Sequence, residues 1–287
     1  MKVKKISLKK RKRIHTLVRL AVQILFFIFF PSVYSSAFNG AKYICTNIGQ
    51  KNMIELTPFI TILIVICIYT VIFGRFFCGY ACAFGSLGDW IYAINAGIAK
   101  KRKKKPFGIP EKLMKVLSFA KYFILAGILF LCIRGIYTKT AGMSPWDVFS
   151  LIHSRKLMFS GYTVGCIILA LIIIGMFFNE RFFCRVLCPM GAVFSVLPVI
   201  PYFSLFRDRQ SCLKGCSLCT GTCPSDIDLP DKQAVNTASD CFQCDKCASA
   251  CPKSNISYGK TGLKSPSVLF TIIRAGILAA VFVWLGI

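Results

Sequence analysis

Histidine is almost absent from this sequence: His15 and His153 are the only two in 287 residues. The charge pattern described below puts them on opposite sides of a membrane, so a bis-histidine haem is excluded. Acidic residues are scarce too. There are 11 Asp and Glu against 36 Lys and Arg, a formal net charge of +25. Only 16% of residues are charged, against about 25% in soluble domains, so most of the chain is unsuited to water. No Gly-rich phosphate loop is present, and no nucleophile stands with a base. Nucleotide-dependent and hydrolytic chemistry therefore lack candidate residues.

What the chain does have is apolar surface, 55% of its residues, and positive charge in blocks beside apolar runs. That is the pattern of a polytopic membrane protein with basic cytoplasmic loops. A nucleic-acid binder would instead carry its cations as a patch or stripe on a soluble fold. Five runs suit about 30 Å of hydrocarbon: Thr16–Phe38, Leu56–Phe77, Val116–Tyr137, Phe159–Phe178 and Pro266–Ile287. Ala83–Ala99 and Ala192–Phe206 are interrupted by Gly, Asp or Pro and read as interfacial helices. The first run is long for the apolar core of a signal peptide and reads as a retained span.

Orientation follows from the cations. Lys2, Lys4, Lys5, Lys9, Lys10, Arg11, Lys12 and Arg13 precede the first span. Lys100–Lys105, Lys112 and Lys115 lie between the second and third. The other two loops hold only Lys42 and Lys51, and Lys139, Arg155 and Lys156. The N-terminus is thus expected inside, as is the cysteine-rich segment after the fourth span. Assembly of iron–sulfur clusters in a reducing compartment argues for the same side. The expected organisation is a basic N-terminus (1–15), a first membrane repeat (16–99), a second (100–206), a cluster domain (207–260) and a C-terminal transmembrane helix (264–287). The fold class is mainly α: a membrane bundle of about five helices with a small ferredoxin-like domain.

The repeat is explicit. Arg75-Phe76-Phe77-Cys78-x3-Cys82-x2-Gly85 recurs 106 residues later as Arg181-Phe182-Phe183-Cys184-x3-Cys188-x2-Gly191. Each copy follows a span of the same direction, so the duplication is parallel, with a pseudo-twofold axis along the membrane normal. On a helix each cysteine pair would lie on one face, and the axis would bring the two pairs together. Four such thiols could hold a metal or cluster, act as redox dithiols, or simply pack. Arg75 and Arg181 could offset thiolate charge or snorkel at the membrane boundary. Cys67, Cys132 and Cys166 read as apolar fillers. His15 reads as solvated or facing headgroups.

The remaining cysteines form two runs. Cys241-x2-Cys244-x2-Cys247-x3-Cys251-Pro252 has the spacing of a bacterial ferredoxin, in which the fourth thiolate serves the neighbouring cluster. Cys212-x3-Cys216-x2-Cys219-x3-Cys223-Pro224 carries one extra residue, absorbed at Gly215. Two [4Fe–4S] clusters are expected: one on Cys212, Cys216, Cys219 and Cys251, the other on Cys223, Cys241, Cys244 and Cys247. Zinc pairs are usually further apart, which disfavours zinc. Six of the acidic residues fall in this segment: Asp208, Asp226, Asp228, Asp231, Asp240 and Asp245. They read as solubilising charge or as a face for a soluble donor.

These motifs resemble the membrane polyferredoxin family typified by NapH and the C-terminal half of NosR. Cys184-x3-Cys188-Pro189 matches that family's C-x3-C-P motif in full, while Ala83 follows Cys82 in the first copy. The resemblance runs from the first span to about Ser257 and does not require a fifth span. It implies an electron-transfer subunit of a membrane oxidoreductase system, linking a quinol or cytoplasmic donor to a membrane or extracytoplasmic partner. Any flavin would sit on that separate partner. A metal (copper) reductase or assembly factor using the membrane cysteine pairs is the competing expectation. A transporter is disfavoured, because the spans look nearly bare of charge apart from end residues such as Arg134.

Overall fold

The computed structural model describes residues 7–104, 106–137, 144–153, 161–231, 239–259, 263–264 and 268–287. Lys2, Lys4, Lys5, Lys105, Lys139, Arg155, Lys156 and the first residues of the predicted fourth and fifth spans lie outside these. The described chain is mainly helical, as expected. Twelve α-helices run in order: α1 Leu8–Phe29, α2 Val33–Gln50, α3 Pro58–Phe73, α4 Ala83–Lys101, α5 Glu111–Leu117, α6 Ala120–Ile133, α7 Pro145–His153, α8 Thr163–Phe178, α9 Pro189–Val196, α10 Leu218–Gly221, α11 Lys246–Ala250 and α12 Val268–Trp284. A small antiparallel sheet joins β1 Leu205–Arg207 to β2 Ile256–Tyr258 and β2 to β3 Leu263–Lys264. It closes the cysteine-rich segment between its first and last strands.

The predicted first span is not one helix. α1 and α2 meet at 61° across a break of three residues. Pro31 lies in that break: its ring cannot donate to the preceding turn and clashes with the carbonyl four residues back. Among the described residues, Glu111–Ile133 is the one helix long and apolar enough to cross a membrane by itself, or one of two such units if the bent pair counts as one. α3, α8 and α12 are apolar but shorter, at 16, 16 and 17 residues. Ala83–Ala99 forms one continuous helix, α4. Ala192–Phe206 divides into the end of α9, a short 3-10 turn and β1.

The main core lies where α1, α2, α4, α8 and the two arginine–cysteine motifs converge. Phe26, Tyr34, Phe38, Phe76, Phe84, Phe183 and Phe194 are fully buried there. A second, smaller core under the sheet holds Leu205, Cys219, Cys247, Ile256 and Tyr258. α2 and α3 pack at backbone distance: a side chain at Gly40 would overlap the Phe59 carbonyl and stand 3.3 Å from the Ile60 nitrogen. Gly40→Val should therefore destabilise the fold by about 1–3 kcal/mol, the usual cost of overpacking. A lowered thermal midpoint of the purified protein is the check.

Candidate functional site

Each R-F-F-C-x3-C motif folds as a π-helical turn, Phe77–Ala81 in one copy and Phe183–Leu187 in the other. The cysteines therefore do not share an α-helical face. The second of each pair ends the π turn in extended conformation, φ −69° and ψ 122° at Cys82, φ −73° and ψ 112° at Cys188. Pro189 enforces this at Cys188 by disfavouring a helical residue before it. Cys82 takes the same shape before Ala83, so the missing proline leaves the backbone unchanged. The extended residue then starts the next helix, and the glycine three residues on donates its N–H to the thiol sulfur. Gly191 reaches Cys188 Sγ at 3.1 Å, and Gly85 donates likewise to Cys82.

All four thiols are buried in one core and lie within electrostatic reach of one another. Burial pushes the Cys184 thiol up to about 11, with Arg181 pulling the other way. Burial together with Cys184 and Cys78 pushes Cys188 up to about 12. Tyr34, which no motif signalled, holds its hydroxyl 3.6 Å from Cys188 Sγ. Its ring stacks edge-on against Phe84, Trp146 and Phe183, forming an aromatic wall around the thiols.

The two arginines do not snorkel. Both are 1% exposed, and each reaches residues beside the other copy of the motif. Arg181 donates from Nε to Asp89 Oδ1 at 2.8 Å, and from its Nη groups to Asp89 Oδ2 and the carbonyls of Cys78 and Gly79. Arg75 donates from Nη1 to Ser195 Oγ at 3.2 Å and to Asp240 Oδ1 at 2.9 Å. Its Nε and Nη2 are buried without an acceptor among the described residues, beside Cys78, Cys184 and Cys188. The glycines of the motif leave room for these crossings: a side chain at Gly85 would overlap Arg181, and one at Gly191 would crowd Arg75 Nη2 at 3.2 Å.

In the C-terminal runs, Cys223, Cys241, Cys244 and Cys247 lie within mutual electrostatic reach. Burial, reinforced by these neighbours, raises the Cys241 and Cys247 thiols. Backbone N–H groups point at the sulfurs: Gln243 to Cys241, Ser225 and Ile227 to Cys223, and Asn255 to Cys251 at 3.5 Å. Gln243 and Asp245 take left-handed φ values of 52° and 57°, a backbone shape that turns successive N–H groups into an anion-binding concavity. Cys212 and Cys219 both lie beside Arg207, whose Nη1 is 3.1 Å from Cys219 Sγ. Among the described residues, no three Cys, His, Asp or Glu side chains are gathered closely enough to hold a single metal ion.

A family model described as a 4Fe-4S binding domain matches residues 56–106 and 163–199, the segments that carry the two motifs. An uncharacterized protein of Methanocaldococcus jannaschii is 30% identical over 195 residues, 68% of each chain. A second from the same organism is 29% identical over 244 residues, covering 84% of this chain and 94% of its own. The ferredoxin-type protein NapH of Haemophilus influenzae is 23% identical over 228 residues, 74% and 71% of the two chains. The chain belongs to the NapH/NosR-type family of ferredoxin-type membrane proteins. No solved structure matches it.

In this family member the acidic residues of the cysteine segment are largely engaged within the chain. Asp226 pairs with Lys115, and Asp228 with Arg207 and Arg209. Asp245 is fully buried against Arg274, Tyr258 and Tyr80. The spans are also less bare than their sequence suggested. Arg19, Lys121 and Arg274 are buried, each within 3.3 Å of a carboxylate. His15 is buried rather than solvated: its Nε2 lies 2.9 Å from the Cys244 carbonyl, and burial lowers it to about 4. His153 is exposed, its ring edge-on to Phe27.

Asp89 sits between Arg19 and Arg181. Burial alone would raise its carboxyl, but the two guanidinium groups outweigh that and hold it at about 2. Because this lies below its ordinary 3.8, the pairing is at full strength above that pH and fades as pH falls toward 2. Asp89→Asn should cost about 3–5 kcal/mol at neutral pH, since it leaves two buried cations uncompensated. Thermal or denaturant unfolding of the variant beside the parent protein measures this.

Proposed function

We propose that the protein is a membrane-bound electron-transfer component carrying two [4Fe–4S] clusters in the 207–260 segment, with a further cluster held by Cys78, Cys82, Cys184 and Cys188. The observation that carries this reading is the convergence of both duplicated cysteine pairs in one buried core, beside Arg75 with two unpartnered donors. The donor set fits an anionic cluster at each place. Burial holds the Cys184 and Cys188 thiols above their ordinary range, and bound iron would displace their protons. Backbone N–H groups already aim at the sulfurs, as they do around cluster thiolates. When bound, a cluster of this kind accepts and releases one electron at a time.

The chain's own residues hold these sites, exclude water and supply compensating charge. Cys212, Cys216, Cys219 and Cys251 would form one set, and Cys223, Cys241, Cys244 and Cys247 the other. Family relatives carry the names ferredoxin-type protein and putative electron transport protein, in keeping with this reading. The five apolar runs would form a multi-pass bundle, with the N-terminus and cluster segment cytoplasmic. Contacts from the start of α1 support their sharing a side: Arg11 donates to Ser254 and to the Cys251 carbonyl, and His15 meets Cys244. An apolar cavity of about 250 Å³, lined by Ile128, Trp146, Ile172 and Leu187 among others, adjoins the membrane motif and suits a quinol partner. Copper reduction at the membrane cysteines is less well supported, because one metal ion would need its thiols about 2.3 Å from a single point.

Iron and acid-labile sulfide analysis with EPR tests the assignment. About twelve iron atoms per chain are expected from three clusters, falling by about four in Cys184→Ser/Cys188→Ser while the signals of the other two persist. Unchanged iron in that variant would remove the membrane site. An iron-free protein would sink the reading as a whole.

A further inference from the structure

The two repeats match closely enough to expose one substitution between them. Asp89, the partner of Arg181, has its counterpart 106 residues later at Ser195, the partner of Arg75. A serine hydroxyl offers Arg75 a hydrogen bond but no charge. The missing carboxylate comes from the cysteine segment. Asp240 places Oδ1 2.9 Å from Arg75, 2.8 Å from Ser195 Oγ and 2.9 Å from Lys121 Nζ. Two residues on, the Phe242 ring lies 4.7 Å from the Arg75 guanidinium and 5.4 Å from that of Arg181, on the faces where a cation attracts a ring. The Phe242 carbonyl presses on Gly79, and the Gln243 side chain packs where a side chain at Gly74 would stand. Residues 240–243 therefore touch both copies of the motif at once.

We propose that Asp240–Gln243 is a docking hook that fixes the cysteine segment in one register on the duplicated motif, with Asp240 standing in for the carboxylate the second repeat lacks. The consequence is an order of sites. Cys244 shares the core of Cys78, Cys82, Cys184 and Cys188, while Cys247 of the same set packs with Cys219 in the core under the sheet, so the Cys223/Cys241/Cys244/Cys247 set bridges the two cores. The Cys223/Cys241/Cys244/Cys247 set is thus the inner one, between the membrane thiols and the outer Cys212/Cys216/Cys219/Cys251 set. This order rests on the cluster reading above; the hook does not. Each step between neighbouring sites moves one electron, oxidising one site by one charge and reducing the next, with no bond made or broken.

Hydrogen–deuterium exchange over residues 239–247 of the full-length protein, with iron content measured in parallel, tests the hook. Asp240→Asn should speed exchange there by roughly tenfold or more, the mark of a segment that opens locally. Ser195→Asp/Asp240→Asn should remain fast, because it restores the charge beside Arg75 without restoring the tether. Unchanged exchange in Asp240→Asn, or slow exchange regained in the double variant, overturns the proposal. The latter would mean that Asp240 merely neutralises Arg75. Should Asp240→Asn fail to fold, Phe242→Leu keeps every charge and must show the same acceleration. A protein without iron would defeat the cluster reading while leaving the exchange result intact.

Discussion

Everything in the described core is arranged around two buried guanidinium groups. Arg75 and Arg181 begin the two copies of one motif, and each ends beside the other copy. A charge removed from water is tolerated only when paired and hydrogen-bonded. Each arginine therefore dictates what faces it: Asp89 with two carbonyls for Arg181, Ser195 with a borrowed carboxylate for Arg75. The glycine at the end of each motif follows from the same crossing, since any side chain there would meet the incoming guanidinium. So does the backbone of Arg181, which sits at φ 59°, a left-handed shape that persists only where surrounding contacts over-determine it.

The same rule extends to the helices around this centre. Arg19 in α1 joins Asp89, Lys121 in α6 joins Asp240, and Arg274 in α12 joins Asp245. The Arg274 guanidinium is further boxed by the rings of Phe76, Tyr258 and Phe270, 4.4–4.9 Å away. Asp245 lies between Cys244 and Cys247, so the last helix, which the family resemblance did not call for, holds up the very loop that carries the inner cysteine set. Asp245, which reads as a surface acid in the sequence, is spent inside the molecule, and the half-exposed Asp240 is tied to two buried cations. The cysteine segment and the apolar helices are thereby one electrostatic unit, and a redox site on either side would feel charges contributed by the other.

Much was legible in the amino-acid order alone. Apolar runs, basic blocks, the spacing of the two ferredoxin-like runs and the duplicated arginine–cysteine unit are all local patterns. They point to helices and to iron–sulfur chemistry through composition and period. The grouping of Cys223 with the Cys241 run was an expectation from the ferredoxin spacing, and the fold brings those four thiols within reach of one another.

Tertiary structure decided the rest, because long-range charge pairing has no local signature. Nothing near Asp89, Asp240 or Asp245 in sequence announces an arginine 92, 165 or 29 residues away. Only folding shows that Tyr34 faces Cys188, that His15 is buried against Cys244 and that Phe242 sits between two arginines. The cysteine pairs themselves were assigned to an α-helical face by spacing, and a π turn with an extended residue placed them otherwise. The sequence by itself determined which side chains are available for chemistry. The fold decided which of them meet, through the need of each buried cation to find an anion.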